Sequence, residues 1–355
     1  MSGKRWLLPT DEGVYRLNLK TIAKQAGVST ATVSNVINGN HHKVSRTTIE
    51  KVQRIIQELG YEPNATARSL ASKRSRIIGV VVANIDQQDH FFSNPHYAHL
   101  LALLEKHIRA QGYYMMLRCV TASQDSLQLL RSWNVDGVIY FGTFPEDIPV
   151  IQEQVSIPVV FIDAYAKERR YVNVGVDDYK GGYLSGKYLL EMGHRDIALV
   201  GIGFQYYGVN GQRGKGFRQA CSEHGIAVGE DRIFECITSY QSGIELGRQI
   251  ARSEIPFTAV AAMADILAFG IMEGLRQEGK RVPEDISVIG FDNLQECLYT
   301  HPKLTTISQN IEEKAERVAK KLMEMMNGNT EVESERNDVI LVERESVRAI
   351  RDNRR

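Results

Sequence analysis

The chain has 355 residues, 43% of them apolar and 24% charged, with 43 basic side chains against 43 acidic ones. That length exceeds what one core supports, so two or three domains are expected, and the composition excludes wholesale disorder. No run approaches the ~18 uninterrupted apolar residues of a transmembrane helix, and the start, MSGKRWLLPTDEG, lacks the apolar stretch of a secretory leader. Cys119, Cys221, Cys236 and Cys297 lie far apart with no C-x-x-C pair. Neither a disulfide framework nor a zinc site is indicated, and a reducing cytoplasm is the expected compartment.

The neutrality is a cancellation. Residues 1–76 carry 13 basic and 5 acidic side chains, a net of +8, and the remaining 30 basic and 38 acidic ones give −8. Such an asymmetry points to a small basic module joined to an acidic body, the basic part suited to nucleic acid.

Residues 1–17 read as an N-terminal extension. From Leu19, LKTIAKQAG carries a helical period through Ile22, Ala23 and Ala26, stopped by Gly27. Ser29 then sits where an N-cap belongs, and a second helix keeps Val33, Val36 and Ile37 on one side, leaving Thr30, Ala31, Thr32, Ser34 and Asn35 on the other side or at its start. Two short helices with a glycine in the turn form a helix-turn-helix, whose second helix meets the major groove. Ser45 caps a third helix with the stripe Ile49, Val52, Ile55, Ile56 and Leu59, closed by Gly60. The alternative is a small bundle with no DNA role. After Pro63, Asn64 can cap a helix of about two turns ending near Ser72, too short to be stable alone. Its conspicuous apolar residue, Leu70, could wedge between base steps in a minor groove.

The runs AGVSTATVSNVIN, VSRTTIEKVQRIIQELGYEPN and ARSLASKRSRIIGVVV resemble the lactose-repressor/galactose-repressor (LacI/GalR) family of bacterial transcription regulators, over about residues 18–350. The resemblance implies that Thr30, Ala31 and Asn35 face bases, and that Leu70 intercalates from a hinge helix that folds on the operator. Ser29, Thr32, Ser34, Asn38, Tyr61, Asn64, Arg68 and Ala71 complete the expected DNA-binding set. Asn35 stands where the family usually has Arg; Arg reads guanine, whereas Asn pairs better with adenine.

From Ile77 the pattern changes to strand-length apolar runs alternating with helical segments. Ile77–Val82, Tyr113–Cys119, Val138–Phe141, Pro158–Ile162 and Val172–Val176 read as strands, with helices over His99–Ala110, Ser123–Trp133 and near Glu146–Gln154. A second round has helices over Tyr179–Met192, Gln212–His224, Ser242–Arg252 and Ile266–Gln277, and strands over Ile197–Val200, Ala259–Met263 and Ser287–Gly290. Alternation twice over predicts an α/β body of two doubly wound parallel-sheet lobes with strand carboxyl ends facing a shared cleft. The resemblance implies a type I periplasmic-binding-protein-like core, with helix Ile311–Met326 in the first lobe and a return to the second at Val339–Val342. The expected boundaries are 18–62 for the helix-turn-helix domain, 63–75 for hinge helix and linker, 76–350 for the effector-binding and dimerisation core, and 351–355 for a tail. Within the core, lobe 1 takes about 76–176 and 308–336, and lobe 2 about 177–307 and 337–350.

Asp163, Asp265 and Asp292 follow apolar strands, where carboxylates suit sugar hydroxyls; capping the next helix is the competing role, strongest for Asp265. Arg213 begins a helix and either reaches the cleft or pairs with a surface acid. Aromatic residues at loop positions, among them Phe91, Phe92, Tyr97, Phe141, Tyr165, Phe204, Tyr206 and Tyr207, can stack on sugar rings or pack the core. The resemblance places Asp163, Arg213, Asp292 and Gln309 at family ligand positions; with Phe91, Tyr97, Phe141, Tyr165 and Asp265 they form the expected ligand-binding set. Ala264 replaces the Asn usual before Asp265.

Enzyme readings fail on spacing. G-I-G-F-Q-Y lacks the third glycine of a dinucleotide fingerprint, Gly216 stands where a P-loop needs Ser or Thr, and Ser185 lies in G-Y-L-S-G rather than G-x-S-x-G. His194 reads as a surface helix end, and the tandem His41 and His42 lack metal-binding spacing. No cofactor or metal is expected. The expected function is that of a non-enzymatic, homodimeric repressor binding a pseudo-palindromic operator, controlled by a sugar or glycoside effector, with no membrane partner. An alternative has a phosphocarrier protein docking on the core as corepressor.

Overall fold

The computed structural model describes residues 18–37, 39, 41–61, 74–82, 91–121, 123–166, 171–205 and 208–350. The chain forms two compact units, Met1–Ser75 and Arg76–Arg355. The N-terminal extension, Asn38, the expected hinge helix with Asn64, Arg68, Leu70 and Ala71, the tyrosines 206 and 207, and the tail lie outside the described residues.

In the first unit, α1 (Leu19–Ala26) starts where the Asn18 side chain accepts the Thr21 amide at 3.1 Å. It ends at Gly27, whose φ of 67° lets its N–H reach the Ala23 and Lys24 carbonyls. α2 (Thr30–Ile37) is capped by Ser29, whose Oγ accepts the Thr32 amide at 3.1 Å. α3 (Arg46–Leu59) is capped by Ser45 and closed by Gly60. Ile22, Ala23, Ala26, Val33, Val36 and Val52 fill the common core, with Ile49, Ile55, Ile56, Leu59 and Tyr61 packed around it.

The second unit contains two sheets. The first orders β11 (Glu335–Asn337), β5 (Asn173–Val176), β4 (Val159–Ile162), β3 (Gly137–Phe141), β1 (Ile77–Val82) and β2 (Tyr114–Cys119), all parallel. Helices α4 (Pro95–Ala110), α5 (Ser123–Trp133) and α6 (Asp147–Gln154) connect its strands. The second orders β12 (Ile340–Val342), β10 (Thr305–Ser308), β9 (Ser287–Asp292), β8 (Ala259–Ala262), β6 (Ile197–Gly201) and β7 (Ile233–Glu235), with only β12 antiparallel. Its helices are α7 (Asp178–Glu191), α8 (Val209–Glu223), α9 (Tyr240–Ala251) and α10 (Asp265–Gln277). From the second sheet the chain runs into α11 (Ile311–Met326), which packs against α4 and the first sheet. β11 then completes the first sheet and β12 the second.

The inner strands β1, β3, β4, β6 and β8 are apolar and almost wholly buried because both faces of each sheet are covered there, as parallel sheets require, whereas the edge strands β2, β11 and β12 carry polar or exposed residues. Two helix pairs approach at backbone contact. A Cβ on Gly182 of α7 would stand 1.8 Å from the Arg213 carbonyl oxygen of α8, and one on Gly270 of α10 would stand 2.1 Å from the Tyr240 carbonyl oxygen of α9. The strands β7, β10 and β11, of three or four residues, were not anticipated from periodicity. Among the described residues no helix is long and apolar enough to cross a membrane.

Candidate nucleic-acid interface and ligand cleft

On the first unit, Ser29, Thr30 and Ala31 are exposed at the start of α2, and Thr32, Ser34 and Asn35 are half-buried along it. Val33 and Val36 face the core, so helical geometry turns the small polar residues outward. Tyr61 is half-buried and packs on the same core.

In the second unit, polar side chains meet where strands of both sheets end. Asp163, with φ of 52°, directly follows β4, and β9 ends on Asp292, with φ of 129°. Positive φ at non-glycine residues is costly and concentrates at functional sites. Lys314 of α11 donates to Asp163 Oδ1 at 2.9 Å and Oδ2 at 2.8 Å, and to Gln309 Oε1 at 2.8 Å. Gln309 Nε2 in turn donates to Asp292 Oδ1. His96, in the first turn of α4, is buried with Nδ1 3.6 Å from Asp292 Oδ1 and no hydrogen-bond partner on that nitrogen. A second group is built on α7 and α8. Arg213 Nε donates to Asp178 Oδ1 at 2.8 Å, and Nη1 to the Met263 carbonyl at 2.7 Å. The guanidinium carbon lies 3.5 Å from the centroid of the Phe291 ring. Tyr165 donates to the other oxygen of Asp178, joining the segment after β4 to the start of α7. Tyr97 and Phe141 meet edge to face, with centroids 5.1 Å apart.

Burial governs the ionisation of this cluster. It pushes the Asp292 carboxyl up to about 6, against the opposing pull of Arg213. Burial also raises the Asp178 carboxyl and the Tyr165 phenol. His96 is held down at about 3 by burial and by the neighbouring Lys314 ammonium, so its imidazole is neutral.

The family description "Bacterial regulatory proteins, lacI family" matches residues 18–64, and "Periplasmic binding protein-like domain" matches 187–347. The HTH-type transcriptional repressor PurR of Pasteurella multocida (strain Pm70) is 33% identical over 321 residues, covering 88% of this chain and 93% of that relative. The chain belongs to the LacI family. Its members are DNA-binding transcriptional repressors with a small-molecule effector core, not enzymes. Among solved structures, the Lac repressor dimer bound to operator and the anti-inducer ONPF superposes with a TM-score of 0.82 at 27% identity, covering 94% of this chain and 99% of that one. The transcriptional regulator CelR–cellobiose complex has a TM-score of 0.70 at 28% identity, covering 93% and 100%.

Within this LacI-family core, Asp163, Tyr165, Arg213, Asp292 and Gln309 are brought together by the bonds above, and Tyr97 and Phe141 by their ring contact. Three expectations need correcting. Asp265 neither caps a helix nor opens to the cleft: Ala264 holds the N-cap position of α10, and the Asp265 carboxylate is fully buried. Its Oδ1 accepts the Thr306 hydroxyl at 2.6 Å and its Oδ2 the Leu294 amide at 2.8 Å and Cys297 Sγ at 3.1 Å. Arg213 pairs with the buried Asp178, not a surface acid. His194 is buried, with its ring nitrogens 3.0 Å from Thr258 Oγ1 and 3.1 Å from the Arg348 carbonyl. Phe204 is core, buried at 4% exposure, whereas Phe92 is exposed.

Sequence reasoning missed Lys314, Asp178 and His96. Lys314 left a trace, being the charged residue on the stripe Ile311, Ala315, Val318, Leu322. Asp178 follows another aspartate, Asp177, which caps α7 by accepting the Lys180 amide, and nothing in the pair says which one turns inward. His96 falls just before the stretch His99–Ala110 expected as helix, because α4 starts earlier, at Pro95.

Proposed function

We propose that this repressor controls a carbohydrate-utilisation operon, its operator affinity set by a sugar-type effector bound between the two sheets of the core. The observation that carries this is the run of paired side chains Asp163–Lys314–Gln309–Asp292 beside Tyr165–Asp178–Arg213. Carboxylates and an amide held in fixed orientations are suited to a ring bearing many hydroxyls, and Tyr97 and Phe141 offer an aromatic flank. That CelR was solved with cellobiose supports the same class.

On the DNA side, Thr30, Ala31 and Asn35 of α2 read base edges, with Asn35 favouring adenine. Ser29, Thr32, Ser34, Asn38, Tyr61, Asn64, Arg68 and Ala71 position the module, and Leu70 is the wedge at the centre of the site. A homodimer placing two such helices on a pseudo-palindrome is supported by the dimeric state of the Lac repressor neighbour. Such a regulator works in the cytoplasm, where the operator is. The effector acts by binding one arrangement of the core more tightly and shifting the population toward it.

The test is titration of a labelled operator fragment with purified protein, alone and with neutral mono- and disaccharides. The expected outcome is sequence-specific binding whose affinity changes about fivefold or more with one sugar. Specific binding that responds to no sugar, but to an added phosphocarrier protein, would replace the effector reading with the corepressor one.

A further inference from the structure

Gly175 is a glycine that the fold does not demand. It lies inside β5, where glycine weakens a strand and often marks the close approach of a ligand. Its φ is not positive, and a Cβ there would stand 3.3 Å from Asn173 Nδ2 and 3.5 Å from Asp163 Oδ1, with nothing nearer. Gly182, pressed on the Arg213 backbone, has no such room. The two neighbours show what Gly175 joins. Asp163 belongs to the cluster described above. Asn173 lines a groove of about 530 Å³ along β5 and β11, together with Tyr165, Tyr171, Glu333 and Arg336. That volume lies within the roughly 300–1,000 Å³ of small-molecule sites. The strand register sets Arg336 opposite Gly175, so the Arg336 side chain leaves the sheet on the face that carries Asn173. Tyr165 is common to both places, lining the groove and bonding to Asp178.

The lining is held in place by its own bonds. The Tyr171 hydroxyl accepts the Ala166 amide at 2.8 Å and donates to the Ala164 carbonyl at 3.2 Å, and Asn173 Oδ1 accepts the Ala164 amide at 2.9 Å. Ser334 Oγ accepts the Asn173 amide at 3.0 Å and donates to the Tyr171 carbonyl at 2.6 Å, strapping the start of β11 to the other wall. Asn173 Nδ2, the Glu333 carboxylate and the Arg336 guanidinium make no hydrogen bond among the described residues. One amide donor, one acid and one base cancel in charge while offering both donors and acceptors. With two tyrosine rings beside them they suit a neutral ring bearing hydroxyls.

We propose that this groove is a second subsite of the effector cleft, holding the further ring of a disaccharide or glycoside whose first ring lies against Asp163. This rests on the sugar reading above. Gly175 is the joint: without a side chain there, a ligand passes from the Asp163 carboxylate to the Asn173 amide along the strand backbone. A single sugar ring leaves the groove empty, so the effector is larger than a monosaccharide.

Isothermal titration with glucose, galactose, cellobiose, maltose and lactose compares the wild-type protein with two variants. Gly175→Val fills the joint, and Arg336→Ala strips the rim of the groove without touching Asp163. In the wild type at least one disaccharide binds about tenfold or more tighter than either monosaccharide. In each variant that advantage shrinks about threefold or more. Gly175→Ala is the milder version should the valine protein fail to melt cooperatively. An advantage absent from the wild type, or undiminished in either variant, overturns the inference and leaves the sugar reading standing. A purely structural role for these residues weakens one ring and two rings alike, and so gives that undiminished ratio. Binding of no probe to any of the proteins overturns the sugar reading, and the inference with it.

Discussion

Burying His194 between Thr258 and the Arg348 carbonyl makes its protonation a stability matter. Burial holds its folded-state pKa at about 4, below the 6.5 of an unperturbed imidazole. The side chain therefore takes up a proton on unfolding, and stability present at neutral pH is lost as pH falls from 6.5 toward 4. Asp265, raised to about 7 by burial and the nearby Asp292, acts in the opposite sense, its contribution being lost as pH rises. Comparing a variant with the wild type cancels that background. His194→Gln should lower the slope of unfolding free energy against pH by about 1.4 kcal/mol per unit relative to the wild type across this window. Urea unfolding at pH 6.5, 5.5 and 4.5 checks it, and identical slopes would refute the assignment. At this scale the site was half legible. Asp163 and Asp292 stand out because a carboxylate directly after an apolar strand sits at the strand's carboxyl end. Asp265 shows the same pattern and yet is a strut, because Thr306, Leu294 and Cys297 come from distant parts of the chain and only folding brings their donors to it.

The helices and the longer strands were legible because their periods are enforced by burial. The caps Ser29 and Ser45 and the stops Gly27 and Gly60 fall where local chemistry puts them. The short strands β7, β10 and β11 were not legible, since three or four residues carry no period and their pairing is decided by neighbours far along the chain. Helix-to-helix distance is likewise a tertiary property. At Gly182 the α7 backbone touches the α8 backbone at Arg213, so the position of the guanidinium depends on a missing methyl group. Gly182→Ala forces the two helices apart and should cost about 3 kcal/mol or more. Because Asp178 and Arg213 belong to the separated helices, effector response should weaken even where the protein still folds. Thermal melting together with operator release reads both effects, and an unshifted melting point would show that the contact relaxes without cost.

At the scale of the whole molecule, charge and fold divide at nearly the same place. Residues 1–75, the first compact unit, carry 12 basic and 5 acidic side chains, a net of +7, and the acidic remainder, from Arg76 on, forms the core. Phosphate binding then rests on the first unit alone. Operator affinity should fall about a thousandfold or more between roughly 50 and 200 mM salt if six or more phosphates are neutralised; a shallow dependence would mean fewer contacts than the charge of this unit suggests. The core has the opposite organisation, because neither of its sheets comes from one continuous stretch. The first sheet receives its edge strand β11 only at residues 335–337, and α11 covers it from 311 onward. During synthesis the DNA-binding unit can therefore fold early, while the first lobe waits half-built for nearly the whole chain to emerge. A truncated product would thus carry a finished recognition module on an unfinished, unregulated body, and the order of the strands makes the switch the last part of the protein to exist.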